Sequence, residues 1–386
     1  MKRRRVLRVA GLLTGVLILL VLVAAGTGYG LLRASLPELD GTVTVEGPSA
    51  PVTIERDARG RVTVRATTRD DLAFGLGFAH GQDRFFQMDL LRRAGAGTLA
   101  ALVGRMGLSI DRGARTHDLA TTARQAWERT EPRHRARIEA YSRGVNAGRT
   151  SLGARPWEYF LLRQSPQPWR PVDTLHVVHA MMRDLQRPTD VLELSRGVVR
   201  AHLVEPVADA VLAAVSPWDA PIVGSVPPAS QIAVPPSGPF RARADGPRSP
   251  RAARPASGPE VADHAKGPGS NSFAVGGART ADGRALLAND MHLRLGVPVI
   301  WYAARLVVDA GDPLDAVGVT LPGAPALIAG SNGSIAWGFT NSYGDWVDHV
   351  RLELDPDDED RYRTPDGWRR ITERTELVEI AGGGVD

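Results

Sequence analysis

Gly269-Ser270-Asn271-Ser272-Phe273-Ala274-Val275 is where this chain changes character. Just upstream, residues 217–268 hold 12 of the 28 prolines and few large apolar side chains outside Trp218, Ile222, Ile232 and Phe240. Such a stretch buries too little apolar surface to offset its ordering entropy, so residues 217–269 read as a linker or removable spacer. Downstream, residues 272–275, 285–288, 299–308, 326–328 and 335–340 are short β-rich runs. Gly276-Gly277, Asp282-Gly283, Gly311-Asp312-Pro313 and Asn332-Gly333 punctuate them as turns. Residues 270–386 are therefore expected to form sheet.

Working outward, residues 36–216 read as mainly helical. The exception is at the start, where Val52-Thr53-Ile54 and Val62-Thr63-Val64 flank Asp57-Ala58-Arg59-Gly60 and predict a β-hairpin. Asp70 or Asp71 can cap the next helix, on which Leu72, Leu76, Ala79 and Phe86 keep helical spacing. Helical patterning then continues to about Arg200, broken near Pro156, Pro166, Pro168 and Pro171. Asp83-Arg84 and Arg92-Arg93 are expected to make structural ion pairs around the helix, which contribute little if exposed.

Residues 1–35 are a separate unit. A basic head, Met1-Lys2-Arg3-Arg4-Arg5, precedes 24 uncharged residues from Val9 to Leu32. A membrane span needs about 20 such residues, and positive charge stays on the cytoplasmic side. The segment reads as a single-pass anchor with the rest of the chain outside the cell membrane. A cleaved signal ending near Ala24-Ala25-Gly26, giving a secreted or periplasmic protein, is the other reading. Both export the chain.

The 386 residues are 43% apolar, enough for a sizeable core, and contain no cysteine, which excludes disulfides and thiolate metal sites. The 47 basic residues exceed the 43 acidic ones by only four, and the excess gathers at the N-terminus and within the spacer. That distribution argues against a nucleic-acid partner. The acidic run Asp355-Pro356-Asp357-Asp358-Glu359-Asp360 lacks the glycine and closing glutamate of an EF-hand loop and reads as a solvated turn.

Ser270 stands where a spacer meets a strand, a sensible place for a cut. A serine exposed there as a new N-terminus carries its own base, since a free α-amine has a pKa of about 7.7–8.0. The amine can take the hydroxyl proton as Oγ attacks a carbonyl. Before the cut, the same Oγ can attack the carbonyl of Gly269, where the absence of a side chain leaves the carbon unshielded. By itself, Gly-Ser-Asn is also an ordinary turn sequence.

The wider pattern carries more information. Ser270-Asn271-Ser272-Phe273-Ala274-Val275, then Leu286-Leu287-Ala288-Asn289-Asp290-Met291-His292-Leu293, Pro322-Gly323-Ala324-Pro325 and Gly330-Ser331-Asn332-Gly333 occur in that order. They are followed by Ile335-Ala336-Trp337-Gly338-Phe339-Thr340-Asn341 and Asp345-Trp346-Val347-Asp348. The series resembles the start of the catalytic β chain of the penicillin acylase family. Upstream, the run from Gly77-Phe78-Ala79-His80-Gly81 through Gln82-Asp83-Arg84-Phe85-Phe86-Gln87-Met88-Asp89 is similar to that family's α-chain signature.

The resemblance implies an α+β fold: the αββα four-layer sandwich of N-terminal-nucleophile hydrolases, with a mainly helical α chain. It implies self-processing at Gly269-Ser270 and hydrolysis of a linear amide, such as the acyl side chain of a β-lactam, an acyl-homoserine lactone or a lipopeptide. Ser270 matches the nucleophile, Asn341 the residue whose backbone N–H helps form the oxyanion hole, and His292 the histidine of the cephalosporin- and lactone-acylase branches. Leu293, Ala329 and Phe339 match acyl-pocket positions. Leu293 and Ala329 fall where the penicillin G enzyme has aromatic rings, which implies a roomier, aliphatic acyl site. Asp345, the carbonyl of Val347, Asp348 and Glu193 match ligands of one structural Ca2+ that ties the α and β chains together.

Residues 375–380 alternate like a strand inside a sheet, and members of the family run on for several hundred residues. The second oxyanion donor and further calcium ligands are expected beyond residue 386, and the 386-residue product alone is expected to be inactive. A different class of reading, a membrane-anchored ectodomain that keeps the fold and binds without cleaving, stands beside the enzyme. A triad serine hydrolase of the Gly-x-Ser-x-Gly type is disfavoured because the chain contains no such elbow.

Overall fold

The structure, a computed structural model, describes residues 2–212, 269–293, 295–341 and 346–386. The spacer up to residue 268 and the expected calcium ligand Asp345 lie outside the described residues. The chain divides into two compact units. The first comprises residues 1–182, 270–340 and 376–386; the second comprises 183–269 and 341–375.

The N-terminal apolar run forms helix α1, Lys2–Ala34. Residues 10–34 of it, 25 in all, are long and apolar enough to cross a membrane, a test that signal sequences also pass. The backbone N–H of Ala154 meets the carbonyl of Ala34 at 3.0 Å, satisfying one of the acceptors left free at the helix end.

The expected hairpin is present as β1, Thr53–Arg56, and β2, Val62–Ala66, paired antiparallel. Next come α2, Arg69–Asp83; α3, Phe85–Ala96; α4, Ala100–Val103; α5, Leu108–Thr116; and α6, Leu119–Arg129. They are followed by α7, Pro132–Thr150; α8, Glu158–Leu161; α9, Pro171–His202; and α10, Glu205–Val211. Pro132 and Pro171 occupy first helical positions, where a missing N–H costs nothing. Neither aspartate caps α2. Thr68 does, its hydroxyl accepting from the N–H of Asp71 at 3.0 Å. The Asp71 carboxylate turns away to Ser49, accepting from its N–H at 2.7 Å and its hydroxyl at 2.6 Å.

After the spacer come β3, Gly269–Val275; β4, Leu286–His292; β5, Tyr302–Val308; β6, Leu314–Thr320; β7, Leu327–Ser331; and β8, Ala336–Trp337. Strands from both sides of the spacer share one six-stranded sheet, in the order β1-β2-β5-β6-β7-β8, while β3 and β4 form a separate pair. The join is parallel: Val62, Val64 and Ala66 lie opposite Ala304, Leu306 and Val308. All six side chains are buried, in a core that also takes Leu72, Leu76 and Ala79 from α2. Period-two alternation then leaves Arg65 and Arg305 on the other face, paired with Asp309 and Asp315. The second unit contains the three-stranded sheet β11-β10-β9, with β9 at Leu354–Asp355, β10 at Asp358–Thr364 and β11 at Gly367–Arg370. The chain is thus a mixed α and β protein.

Two helices pack backbone to backbone. A Cβ added at Gly77 or Gly81 of α2 would lie 2.2 Å from the carbonyl oxygen of Tyr141 or Val145 on α7. One at Gly144 or Gly148 of α7 would lie 2.0 Å from the carbonyl oxygen of Phe74 or Phe78. Only hydrogen fits at these four crossings. The close approach lets His80 of α2 meet Tyr141 of α7.

His80 is fully buried, and its proton positions follow from its neighbours. Gly323 donates its N–H to the Tyr141 oxygen at 2.9 Å, so the Tyr141 hydroxyl donates to Nδ1 of His80, 2.8 Å away. Thr320 gives its hydroxyl proton to the Tyr302 carbonyl at 3.1 Å, so it accepts from Nε2 of His80 at 2.9 Å. The ring is neutral: burial, with Arg84 nearby, pushes its pKa down to about 3. Burial likewise pushes His176 of α9 down to about 4, although Asp173 opposes the shift.

The arginines of α3 make the structural ion pairs expected, and these are buried. Asp89 has no exposed surface, and it accepts from Arg92 at 2.7 Å, Arg93 at 2.9 Å and the Tyr159 hydroxyl at 2.6 Å. Arg92 also reaches Asp173 at 2.7 Å and the carbonyls of Gln167 and Pro168, holding the segment before α9. Asp83 pairs with Arg56 and with the hydroxyl of Tyr302 rather than with its neighbour Arg84. Residues 375–380 also depart from expectation. They form only one isolated bridge, Glu379 to Val385, because Gly382-Gly383-Gly384 turns the chain back at positive φ. The turned segment docks on α4, where Ala381 donates its N–H to Ala100.

Two outcomes are expected. The unfolded chain binds protons at His80 and His176 below about pH 6.5, and the folded chain does not. Stability therefore holds above that pH and falls as pH drops towards 4, by up to ~1.4 kcal/mol per pH unit for each histidine. Urea unfolding at a series of pH values measures this, and His176→Gln reduces the slope. Asp89→Ala leaves Arg92 buried without its main partner and lowers unfolding free energy by about 3–5 kcal/mol in the same assay.

Candidate functional site

Ser270 is half-buried on β3, and β4 lies beside it. His292 ends β4. Its Nε2 is 3.3 Å from the side-chain amide nitrogen of Asn271, the residue after Ser270, and 2.7 Å from the Asp290 carboxylate. Asp290 and His292 share one face of the strand because their spacing is two. A carboxylate at 2.7 Å sets Nε2 as the protonated nitrogen, so Nδ1 is the basic one unless the ring is charged. The Asp290-x-His292 spacing was visible in the sequence, but without β4 as a strand it carried no orientation.

Asn289, on the opposite face of β4, contacts both halves of the site. Its Nδ2 donates to the carbonyl of Asn271 at 3.1 Å and to that of Phe339 at 3.1 Å, and its Oδ1 accepts from the N–H of Phe339 at 3.3 Å. The expected pocket residues take separate positions. Leu293 is half-buried just past β4, its N–H bonded back to Met291. Ala329 sits in β7 opposite Val319 of β6, and Phe339 is 61% exposed. Cavities of about 550, 210 and 720 Å³ are lined by other residues, among them Val45 and Phe74, Leu72 and Trp337, and Arg93 and Arg115.

Asn341, Val347, Asp348 and Glu193 belong to the second unit. There the side-chain amide of Asn341 donates to the carbonyl of Leu185 in α9 at 3.2 Å, anchoring the residue by its side chain. Glu193, on α9, is 3.9 Å from Arg196 one turn on. The donor set expected for calcium has the right chemistry, hard oxygens from carboxylates and a carbonyl. Among the described residues, however, no three acidic or histidine side chains converge on one point.

The family model described as Penicillin amidase matches residues 51–385, on both sides of the spacer. A penicillin acylase 2 proenzyme from a Pseudomonas species is 31% identical over 368 residues, covering 93% of this chain and 45% of that protein. The acyl-homoserine lactone acylase QuiP of Pseudomonas aeruginosa is 30% identical over 359 residues, covering 90% of this chain and 40% of the relative. Penicillin G acylase of Escherichia coli is 25% identical over 400 residues, covering 91% and 45%. The chain thus spans less than half the length of these relatives. A solved thermostable penicillin G acylase from Alcaligenes faecalis aligns with a TM-score of 0.38 and 24% identity, over 46% of this chain and 98% of the solved one.

Proposed function

The chain belongs to the penicillin amidase family, and on that premise we propose that it is an exported amidohydrolase precursor that cuts itself before Ser270. The observation that carries the reading is the family match on both sides of the spacer, with the matched strands of both sides joined in one sheet. A chain cut at Gly269-Ser270 would stay assembled through that sheet and the core beneath it.

In the cut, Oγ of Ser270 attacks the carbonyl carbon of Gly269, and the peptide nitrogen leaves as the amine of Ser270. Water opens the resulting ester, freeing the Gly269 carboxylate and a serine with a free amine. In turnover that amine takes the Oγ proton, Oγ attacks the substrate's amide carbon, and the backbone N–H of Asn341 stabilises the oxyanion. One such donor typically contributes ~2.7–4 kcal/mol to the transition state. Collapse expels the leaving amine with the proton from the α-ammonium. Water, deprotonated by the same amine, then releases the acid. His292, held by Asp290, orients Ser270 or relays its proton.

The fold of this reading is the four-layer N-terminal-nucleophile sandwich, with the helical region as the α chain. The substrate is a linear amide with an aliphatic acyl chain, in keeping with Leu293 and Ala329 at the pocket positions. Penicillin-type acyl amides and acyl-homoserine lactones are the candidates, a reading supported by the names of two relatives, a penicillin acylase and an acyl-homoserine lactone acylase. Helix α1 directs the protein to or across the membrane, as an anchor or as a signal. Asp345, the Val347 carbonyl, Asp348 and Glu193 would hold one Ca2+, which would supply no chemistry and brace the two chains.

Three measurements test this. Intact mass and N-terminal sequencing of the folded protein show a chain beginning at Ser270, and Ser270→Ala abolishes it. Absence of the cut in the parent favours the non-cleaving ectodomain. With the full-length precursor, acyl amides of increasing length show a broad aliphatic optimum; a sharp optimum at phenylacetyl amides refutes the pocket assignment. Calcium at 100 times its Kd raises stability by about 2.7 kcal/mol over the chelated protein, and Asp348→Ala removes that difference.

A further inference from the structure

Asn289 uses all the hydrogen-bonding capacity a side-chain amide has in one direction. The end near the carbonyls of Asn271 and Phe339 must be the NH2, because two acceptors need two donor hydrogens. The other end faces the N–H of Phe339 and must be the oxygen. Towards Phe339 the amide therefore makes both bonds that the peptide group of a neighbouring strand would make. One side chain takes the place of a strand between β3 and the segment that follows β8.

Gly338 fits the same arrangement. A Cβ there would lie 2.7 Å from Cβ, Cγ and Oδ1 of Asn289, well inside van der Waals contact. The bare backbone of residue 338 lets the segment close onto the amide. The bonds thus connect the residue after Ser270 to a stretch that reaches Asn341 two residues later along the chain. Both ends of the link are backbone, so the amide fixes main-chain positions rather than side-chain rotamers.

We propose that Asn289 is a positioning residue, holding the backbone at Asn271, and with it Ser270, in register with Gly338-Phe339 for self-cleavage and for turnover. The inference rests on the reading of Ser270 as nucleophile. It requires an amide at position 289. An aspartate of the same shape would set a carboxylate against two carbonyl oxygens, and an alanine would remove all three bonds to the backbone. Misplacement of a reacting group by about 1 Å costs ~100-fold in rate, so the effect falls on chemistry more than on binding.

The test uses the full-length precursor, residues beyond 386 included, and its Asn289→Asp, Asn289→Ala, Gly338→Ala and Asn289→Ala/Gly338→Ala variants. Appearance of the Ser270 N-terminus is timed by intact mass, and hexanoyl-4-nitroanilide serves as the turnover probe. Each single variant is expected to slow cleavage by at least ~10-fold and to lower kcat by ~10–100-fold, with KM within about threefold of the parent. The double variant is expected to be no worse than the poorer single one, because both substitutions break the same contact. The isosteric Asn289→Asp guards against simple loss of folding, checked by circular dichroism and melting temperature. Folded Asn289→Asp that cleaves at the parental rate, or that changes only KM, overturns the inference, as does a double variant whose losses multiply. A parent chain that never exposes Ser270 overturns the underlying reading, and the inference with it.

Discussion

The parallel pairing of Val62–Ala66 with Ala304–Val308 is the constraint on which the first unit depends. It crosses the spacer, so it joins chain segments that are more than 200 residues apart. It brings the hairpin β1-β2 and the helices behind it onto the same sheet as β5 to β8. Parallel strands cannot be linked by a tight turn, and here the connection is the helical region, the proline-rich stretch and the β3-β4 pair. The pairing is stabilised chiefly by what lies on one face: alternate residues of both strands are apolar and buried against α2. A one-residue slip of β2 would turn Arg65 into that core, and a slip of β5 would turn Arg305 into it, which fixes the register.

The polar groups buried beneath the sheet give the join its specificity. His80 connects α2 to α7 through Tyr141 and to β6 through Thr320, and Tyr141 in turn accepts from Gly323 in the turn after β6. Each donor in that chain has one acceptor, so the network has a single proton arrangement. A second network, Asp89 with Arg92, Arg93 and Tyr159, ties α3 to the segment leading into α9. Breaking either leaves a polar group without water and without a partner, which costs more than the bond itself contributes. Only the first network crosses from residues before 269 to residues after 270, through Thr320 and Gly323; the second lies wholly within the helical region.

At the site the same logic works on a smaller scale. β3 and β4 place Asn271 beside His292, and Asp290 orients the imidazole from two residues away. Asn289 links that pair of strands to Phe339 across 50 residues of sequence. The glycine at 338 is legible only from this contact. In the sequence it stood within the block at residues 335–341, with no role attached to it.

The sequence by itself determined the order of segments: an apolar helix, a hairpin, a helical region, a proline-rich spacer and a β-rich region beginning at Ser270. Each of these is written in composition or in a short period, which needs no distant partner to be read. The ordered blocks from Gly77 to Asp348 determined the family for the same reason. Tertiary structure alone decided the rest. It set Thr68 rather than Asp70 or Asp71 as the cap of α2, because Ser49 claims the Asp71 carboxylate. It buried the α3 ion pairs, whose exposure local spacing left open, with Tyr159 and Asp173 as further partners. It kept residues 375–380 out of any sheet among the described residues, because three glycines turn the chain back before a partner strand is reached. It gave Asn289 its three backbone partners. Burial and long-range hydrogen bonding are properties of pairs brought together by folding, and no local period encodes them.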